Sequence, residues 1–202
     1  MSQEHHILVI PGLGDEVGMI EDIVKKHQFP GLVFHVSKSA QWKNKVEKTV
    51  QPKIKRISAE VTDLAKSGKV SIVGISASGS LAGLVYLENK NKIEKVVNVC
   101  GRLHPGGILV PFPPLWITST GRPAFKDSVQ TFEARQKELT VQDRRKFLVF
   151  QARVDELVPG STSFLEGAKI TPLPNWGHRF GIRNALNNYG NNLTDFLLRN
   201  VD

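Results

Sequence analysis

Ser76 stands in the run Gly74-Ile75-Ser76-Ala77-Ser78-Gly79, between an apolar stretch, Val70 to Val73, and a second apolar stretch, Leu81 to Tyr86. The first has the composition of a buried parallel strand, and the second reads as a helix. A serine at a strand-to-helix turn, with tiny residues on both sides, has the setting of a nucleophile elbow. There the serine takes a strained backbone conformation, costing about 1–3 kcal/mol, that projects its hydroxyl from the sheet edge. Gly74 before it and Ser78 after it supply the small side chains that the turn needs. The N–H groups and positive dipole end of the following helix face the point where negative charge develops. The chemistry served is nucleophilic attack by a hydroxyl, which needs a neighbouring imidazole to take its proton.

Other motifs fit less well. Gly12-x-Gly14-x-x-x-Gly18 after an N-terminal strand is a partial dinucleotide-binding loop, and Tyr86 with Lys90 has the Tyr-x-x-x-Lys spacing of short-chain dehydrogenases. Against that reading, no acidic residue ends the second strand to bind a ribose, although His35 to Lys38 suits a phosphate. Pro11 also occupies the position where the phosphate loop should begin. A P-loop is excluded, because no Gly-Lys-Ser/Thr follows the glycines. Cys100 is the single cysteine, which excludes an intramolecular disulfide and a cysteine-based metal cluster.

The elements that position Ser76 alternate in type. Strands are expected at His6 to Ile10, Leu32 to Val36, Val70 to Val73, Lys95 to Cys100, Lys146 to Gln151 and Ala168 to Leu173. Helices are expected around Met19 to Lys26, Asn44 to Lys66 with a kink or restart at Pro52, and Leu81 to Tyr86. Two more are expected over Asp127 to Leu139 and Ile182 to Asn200. Proline and glycine accumulate from Pro105 to Pro123, which marks an irregular loop. The pattern predicts one α/β domain over 1–202, a parallel sheet of about six strands with helices on both faces.

The chain of 202 residues is 40% hydrophobic, enough for one full core. Its net charge of +8 favours solubility and acidic partners in general. The run Lys38 to Arg56 holds seven Lys and Arg and one acid, Glu47. With no aromatic interleaved beyond Trp42, it reads as a solvated face rather than a nucleic-acid site. No apolar run is long enough to span a bilayer, and the start lacks the features of a signal peptide. The expectation is a cytoplasmic protein with no membrane partner.

The elbow resembles that of the α/β-hydrolase superfamily, whose pattern is G-x-S-x-G; here Ser78 takes the last position and the glycine moves to Gly79. Two further segments resemble family motifs. Arg153-Val154-Asp155-Glu156-Leu157-Val158-Pro159 is similar to the loop that carries the acid, and Trp176-Gly177-His178 to the segment that carries the base. The resemblance covers nearly the whole chain. It implies a catalytic triad of Ser76, Asp155 and His178, with Glu156 as the fallback acid, and an oxyanion hole from the N–H groups of Ala77 and Leu13. Pro11-Gly12-Leu13-Gly14 resembles the family's oxyanion segment, with proline in place of histidine.

The resulting expectation is a small serine hydrolase without a large lid, cleaving a carboxylic ester or thioester and needing no cofactor or metal. The alternative is a catalytically silent binding protein on the same fold. Phe112, Leu115 and Trp116 are the candidate walls of an acyl pocket. Arg102, Arg153 and Arg179 each follow a strand or adjoin His178, at the sheet edge where ligands bind. Arg102 and Arg179 are the candidate contacts to an anionic substrate. The acyl and leaving groups and the oligomeric state are not legible.

Overall fold

The computed structural model describes residues 4–14, 17–27, 31–107, 122–188 and 190–199. The strands are β1 (Glu4–Ile10), β2 (Leu32–Val36), β3 (Gly68–Ile75), β4 (Ile93–Val99), β5 (Phe147–Val154) and β6 (Lys169–Trp176). All pair in parallel, in the order β2-β1-β3-β4-β5-β6. The order reverses between β1 and β3, and at such a switch point two loops diverge and leave a crevice at the carboxyl edge. Pro11 and Ser76, directly after those strands, therefore face each other.

Helices cover both faces. Their ranges are α1 (Val17–His27), α2 (Gln51–Leu64), α3 (Ser78–Glu88), α4 (Pro123–Arg135), α5 (Val141–Arg145), α6 (His178–Asn187) and α7 (Gly190–Leu198). Strand alternation divides the core in two. Leu8, Ile10, Val70 and Ile72 point to the face packed by α2, α3 and α4, while Ile7, Val9, Val73 and Ile75 point to the face packed by α1, α6 and α7. Helix α3 is buried from Ser78 to Leu87, and Gly83 leaves the space that the ring of Phe132 fills.

The largest boundary differences from the sequence reading lie in three helices. The expected helix from Asn44 begins only at Gln51, with Pro52 in its first turn, where a missing N–H costs nothing. The preceding loop is held by a buried lysine. Lys53 Nζ donates to the carbonyls of Ala40 and Gln41 and to Glu47 Oε2, at 2.7, 2.9 and 2.7 Å. The helix expected from Asp127 runs Pro123–Arg135 and ends in a 3₁₀ turn, Gln136–Glu138. The helix expected from Ile182 begins at His178 and is followed by a separate helix from Gly190.

Candidate active site

At the end of β3 the backbone of Ser76 has φ +55°, the left-handed region that a non-glycine residue adopts only under constraint. The constraint is visible on both sides of the residue. Its N–H donates to the Val99 carbonyl at 3.0 Å, and its carbonyl accepts from Gly79 N at 3.1 Å and Arg102 N at 3.3 Å. A Cβ on Gly74 would overlap the Ser78 carbonyl, so the residue two before the serine has to be glycine. The displaced Gly79 has its own cause, since a Cβ there would overlap Asn98 Oδ1 and lie 2.9 Å from Gly101 Cα.

His178 is the first residue of α6, after Gly177 at φ +92°. Its Nε2 lies 2.7 Å from Ser76 Oγ, and its Nδ1 lies 2.7 Å from Asp155 Oδ2. The other oxygen of Asp155 accepts the N–H groups of Leu157 and Val158 at 3.0 and 2.7 Å. Asp155 is 2% exposed and His178 5%. A carboxylate only accepts, so Nδ1 carries the proton and the lone pair of Nε2 faces the serine hydroxyl. Glu156 takes a different role from that of fallback acid. Its Oε2 accepts the backbone N–H of His178 at 2.9 Å, which caps the start of α6. The two adjacent carboxylates thus hold His178 by its ring and by its backbone.

The loop after β1 lies against the nucleophile. A Cβ on Gly12 would fall 2.9 Å from Ser76 Cβ and 3.5 Å from Ser76 Oγ. Among the described residues, no backbone acceptor takes the N–H of Leu13 or of Ala77. Ser78, fully buried, donates from Oγ to the Pro11 carbonyl at 2.5 Å, and Trp42 Nε1 donates to Ser78 Oγ at 2.8 Å and to the same carbonyl at 3.2 Å.

Arg102 is placed otherwise than expected. It is 6% exposed, and its guanidinium donates to the carbonyls of Gly106, Gly107 and Leu157. Burial favours this arrangement, because a charge withdrawn from water needs several acceptors. It binds the loops after β4 and β5 together rather than facing a substrate. Arg153 and Arg179 are exposed. Phe112, Leu115 and Trp116 lie outside the described residues. Tyr86 and Lys90, the dehydrogenase-like pair, both bond Asp143 in α5, at 2.6 and 2.8 Å. Burial pushes the Tyr86 hydroxyl far up from its usual range, aided by the bond to Asp143. Among the described residues, no group of three or more His, Cys, Asp or Glu could hold a metal ion, and no helix is long and apolar enough to cross a membrane.

No protein-family model matches the chain, and no curated protein matches it in sequence. Solved structures do match it. A lipase-esterase related protein from Clostridium acetobutylicum is similar with TM-score 0.65 at 13% identity, over 95% of this chain and 94% of that one. A hydrolase from Oleispira antarctica gives TM-score 0.64 at 14% identity, over 98% and 93%. A monoacylglycerol lipase from Paleococcus ferrophilus gives 0.61 at 13%, over 96% and 93%. The chain has the α/β-hydrolase fold. In this α/β-hydrolase-fold chain His178 lies within hydrogen-bonding reach of both Ser76 and Asp155; Ser76, His178 and Asp155 follow β3, β6 and β5 in the fold, with His178 opening α6.

Proposed function

We propose that the chain is a serine hydrolase that cleaves a carboxylic ester or thioester through an acyl-enzyme on Ser76. The observation that carries the reading is the continuous relay from Asp155 Oδ2 through His178 to Ser76 Oγ, two contacts of 2.7 Å each. Ser76 Oγ attacks the carbonyl carbon while its proton passes to Nε2 of His178. The imidazolium so formed faces the buried Asp155 carboxylate, which stabilises it without taking the proton. The oxyanion is received by the N–H groups of Ala77 and Leu13. Collapse expels the alcohol or thiol, which takes the proton from Nε2. Water then attacks the acyl-enzyme by the same route, frees the acid and restores Ser76. The lipase and esterase names of the similar structures support an ester substrate.

Labelling with a fluorophosphonate, followed by mass spectrometry, tests the reading. The expected result is modification of Ser76 alone, abolished in Ser76→Ala and sharply reduced in His178→Ala. A folded protein that is neither labelled nor active on short p-nitrophenyl esters would overturn it and favour a silent binding protein.

A further inference from the structure

The glycine loop after β1 has a mechanical difficulty. Gly12 passes so close to Ser76 that no side chain fits, and glycine is the residue with the widest backbone freedom. Leu13, whose N–H the reading above assigns to the oxyanion hole, is the next residue. Its direction is therefore set by a flexible peptide, whereas an oxyanion donor needs a fixed aim. Pro11 contributes no N–H of its own.

The compensation lies in the residue that departs from the family pattern. Glycine at position 78 would leave the Pro11 carbonyl with the Trp42 donor alone. Ser78 instead forms a closed triangle, Ser78 Oγ to the Pro11 carbonyl, Trp42 Nε1 to Ser78 Oγ and Trp42 Nε1 to the same carbonyl. All of it is buried, with Ser78 at 0% and Trp42 at 2% exposure, so water cannot substitute for a lost bond. Trp42 is itself fixed. Its ring meets Phe125 edge-on at 6.1 Å, and the ammonium of Lys53 lies 5.0 Å from the ring centroid. Lys53 in turn is held by Glu47 and by the carbonyls of Ala40 and Gln41. The chain of contacts runs from the buried Lys53, paired with the half-buried Glu47, to the peptide that precedes Gly12.

We propose that Ser78, with Trp42, is a positioning residue that fixes the Pro11–Gly12 peptide and so aims the Leu13 N–H at the oxyanion. The inference rests on the hydrolase reading for its catalytic part; its geometric part is independent. The test compares Ser78→Ala, Ser78→Gly and Trp42→Phe with the wild type, in kcat and KM on a short p-nitrophenyl ester and in amide ¹⁵N order parameters of Leu13 and Gly14. In Ser78→Ala and Ser78→Gly, kcat is expected to fall about 10- to 50-fold with KM changed less than about threefold, as for a misaimed group that acts only in the transition state. The order parameters of Leu13 and Gly14 fall with it. Trp42→Phe gives a smaller loss of kcat, and the Ser78→Ala/Trp42→Phe double variant loses less than the product of the two, because they share one acceptor. A merely structural serine would lower Tm and leave kcat and the order parameters of the folded fraction unchanged, and that result overturns the proposal. If the wild type proves inactive, the hydrolase reading fails by itself. The order parameters then decide the clamp, rigid in wild type and loosened in Ser78→Ala, or equal in both and the clamp refuted.

Discussion

Two serine–histidine pairs belong to β3 and its end. Just past its carboxyl end Ser76 Oγ meets His178 Nε2 at 2.7 Å, and midway along it Ser71 Oγ meets His5 Nε2 at 2.9 Å. Both are buried or half-buried, so the contact alone does not distinguish them. The surroundings do. Ser76 has a positive φ and stands before a helix, whereas Ser71 lies in regular strand and is 0% exposed. His178 has Asp155 on its second nitrogen. For His5, burial holds the ring below its ordinary value near 6.5, opposed by Glu94 and reinforced by Lys69, Lys95 and His6. One imidazole has a buried carboxylate on its second nitrogen, and burial disfavours the charged form of the other. A serine–histidine contact becomes chemistry only with strain at the serine, a carboxylate behind the ring and a way in for substrate.

The largest expected effect separates the two serines. Ser76→Ala should lower kcat by about four to six orders of magnitude, and Ser71→Ala should leave it within about threefold while lowering Tm. Loss of activity in a folded Ser71→Ala would erase the distinction. Next in size is Asp155→Asn, expected to cost about 10⁴-fold in kcat with the fold retained, since the ring is then held in the wrong tautomer.

Glu156→Ala should act more weakly, with a loss of about 1 kcal/mol in stability and about tenfold in kcat, and Glu156→Gln should recover most of both. If Glu156→Ala instead matched Asp155→Asn, the ring-and-backbone division of the two carboxylates would be wrong. The smallest effect is in pH dependence. His5 has a folded pKa below its unfolded one, so the unfolded state binds more protons as the solution is acidified through 6.5. Its stabilisation is present above that pH and declines as pH falls towards the folded pKa. His5→Gln should flatten this part of a Tm-against-pH curve while leaving the acid limb of kcat/KM in place. Movement of that limb in His5→Gln would mean that the two pairs are coupled.

Much of this arrangement was legible because it is written in local runs. The six strands are β-branched or apolar segments between turn residues, and Ser76, Asp155 and His178 each follow one of them. What was missed depends on partners distant in sequence. Ser78 reads as a small spacer, because its bond to Pro11 spans 67 positions. Lys53 reads as part of a solvated basic run, because only the folded loop brings Glu47 and two carbonyls to it. Glu47 is held down to about 2, chiefly by the Arg56 hydrogen bond with help from Lys53, a pairing that composition alone does not reveal. Arg102 reads as an exposed ligand for anions, because the three carbonyls that it binds come from two separate loops. The early start of α6 follows from the Glu156 cap, 22 positions away from the N–H that it accepts.

The span between Ser76 and His178 sets an order of events during synthesis. The two are 102 positions apart, and the histidine is by far the later to be made. At ribosomal rates of 5–20 residues per second, Ser76 exists for about 5–20 s before its partner imidazole is joined to the chain. Val99 and Gly79, whose backbone groups bond that of Ser76 in the folded chain, are both translated earlier than His178. Ser76 thus has no His178 imidazole beside its hydroxyl while the chain is being made, and the 2.7 Å contact forms only once α6 is in place.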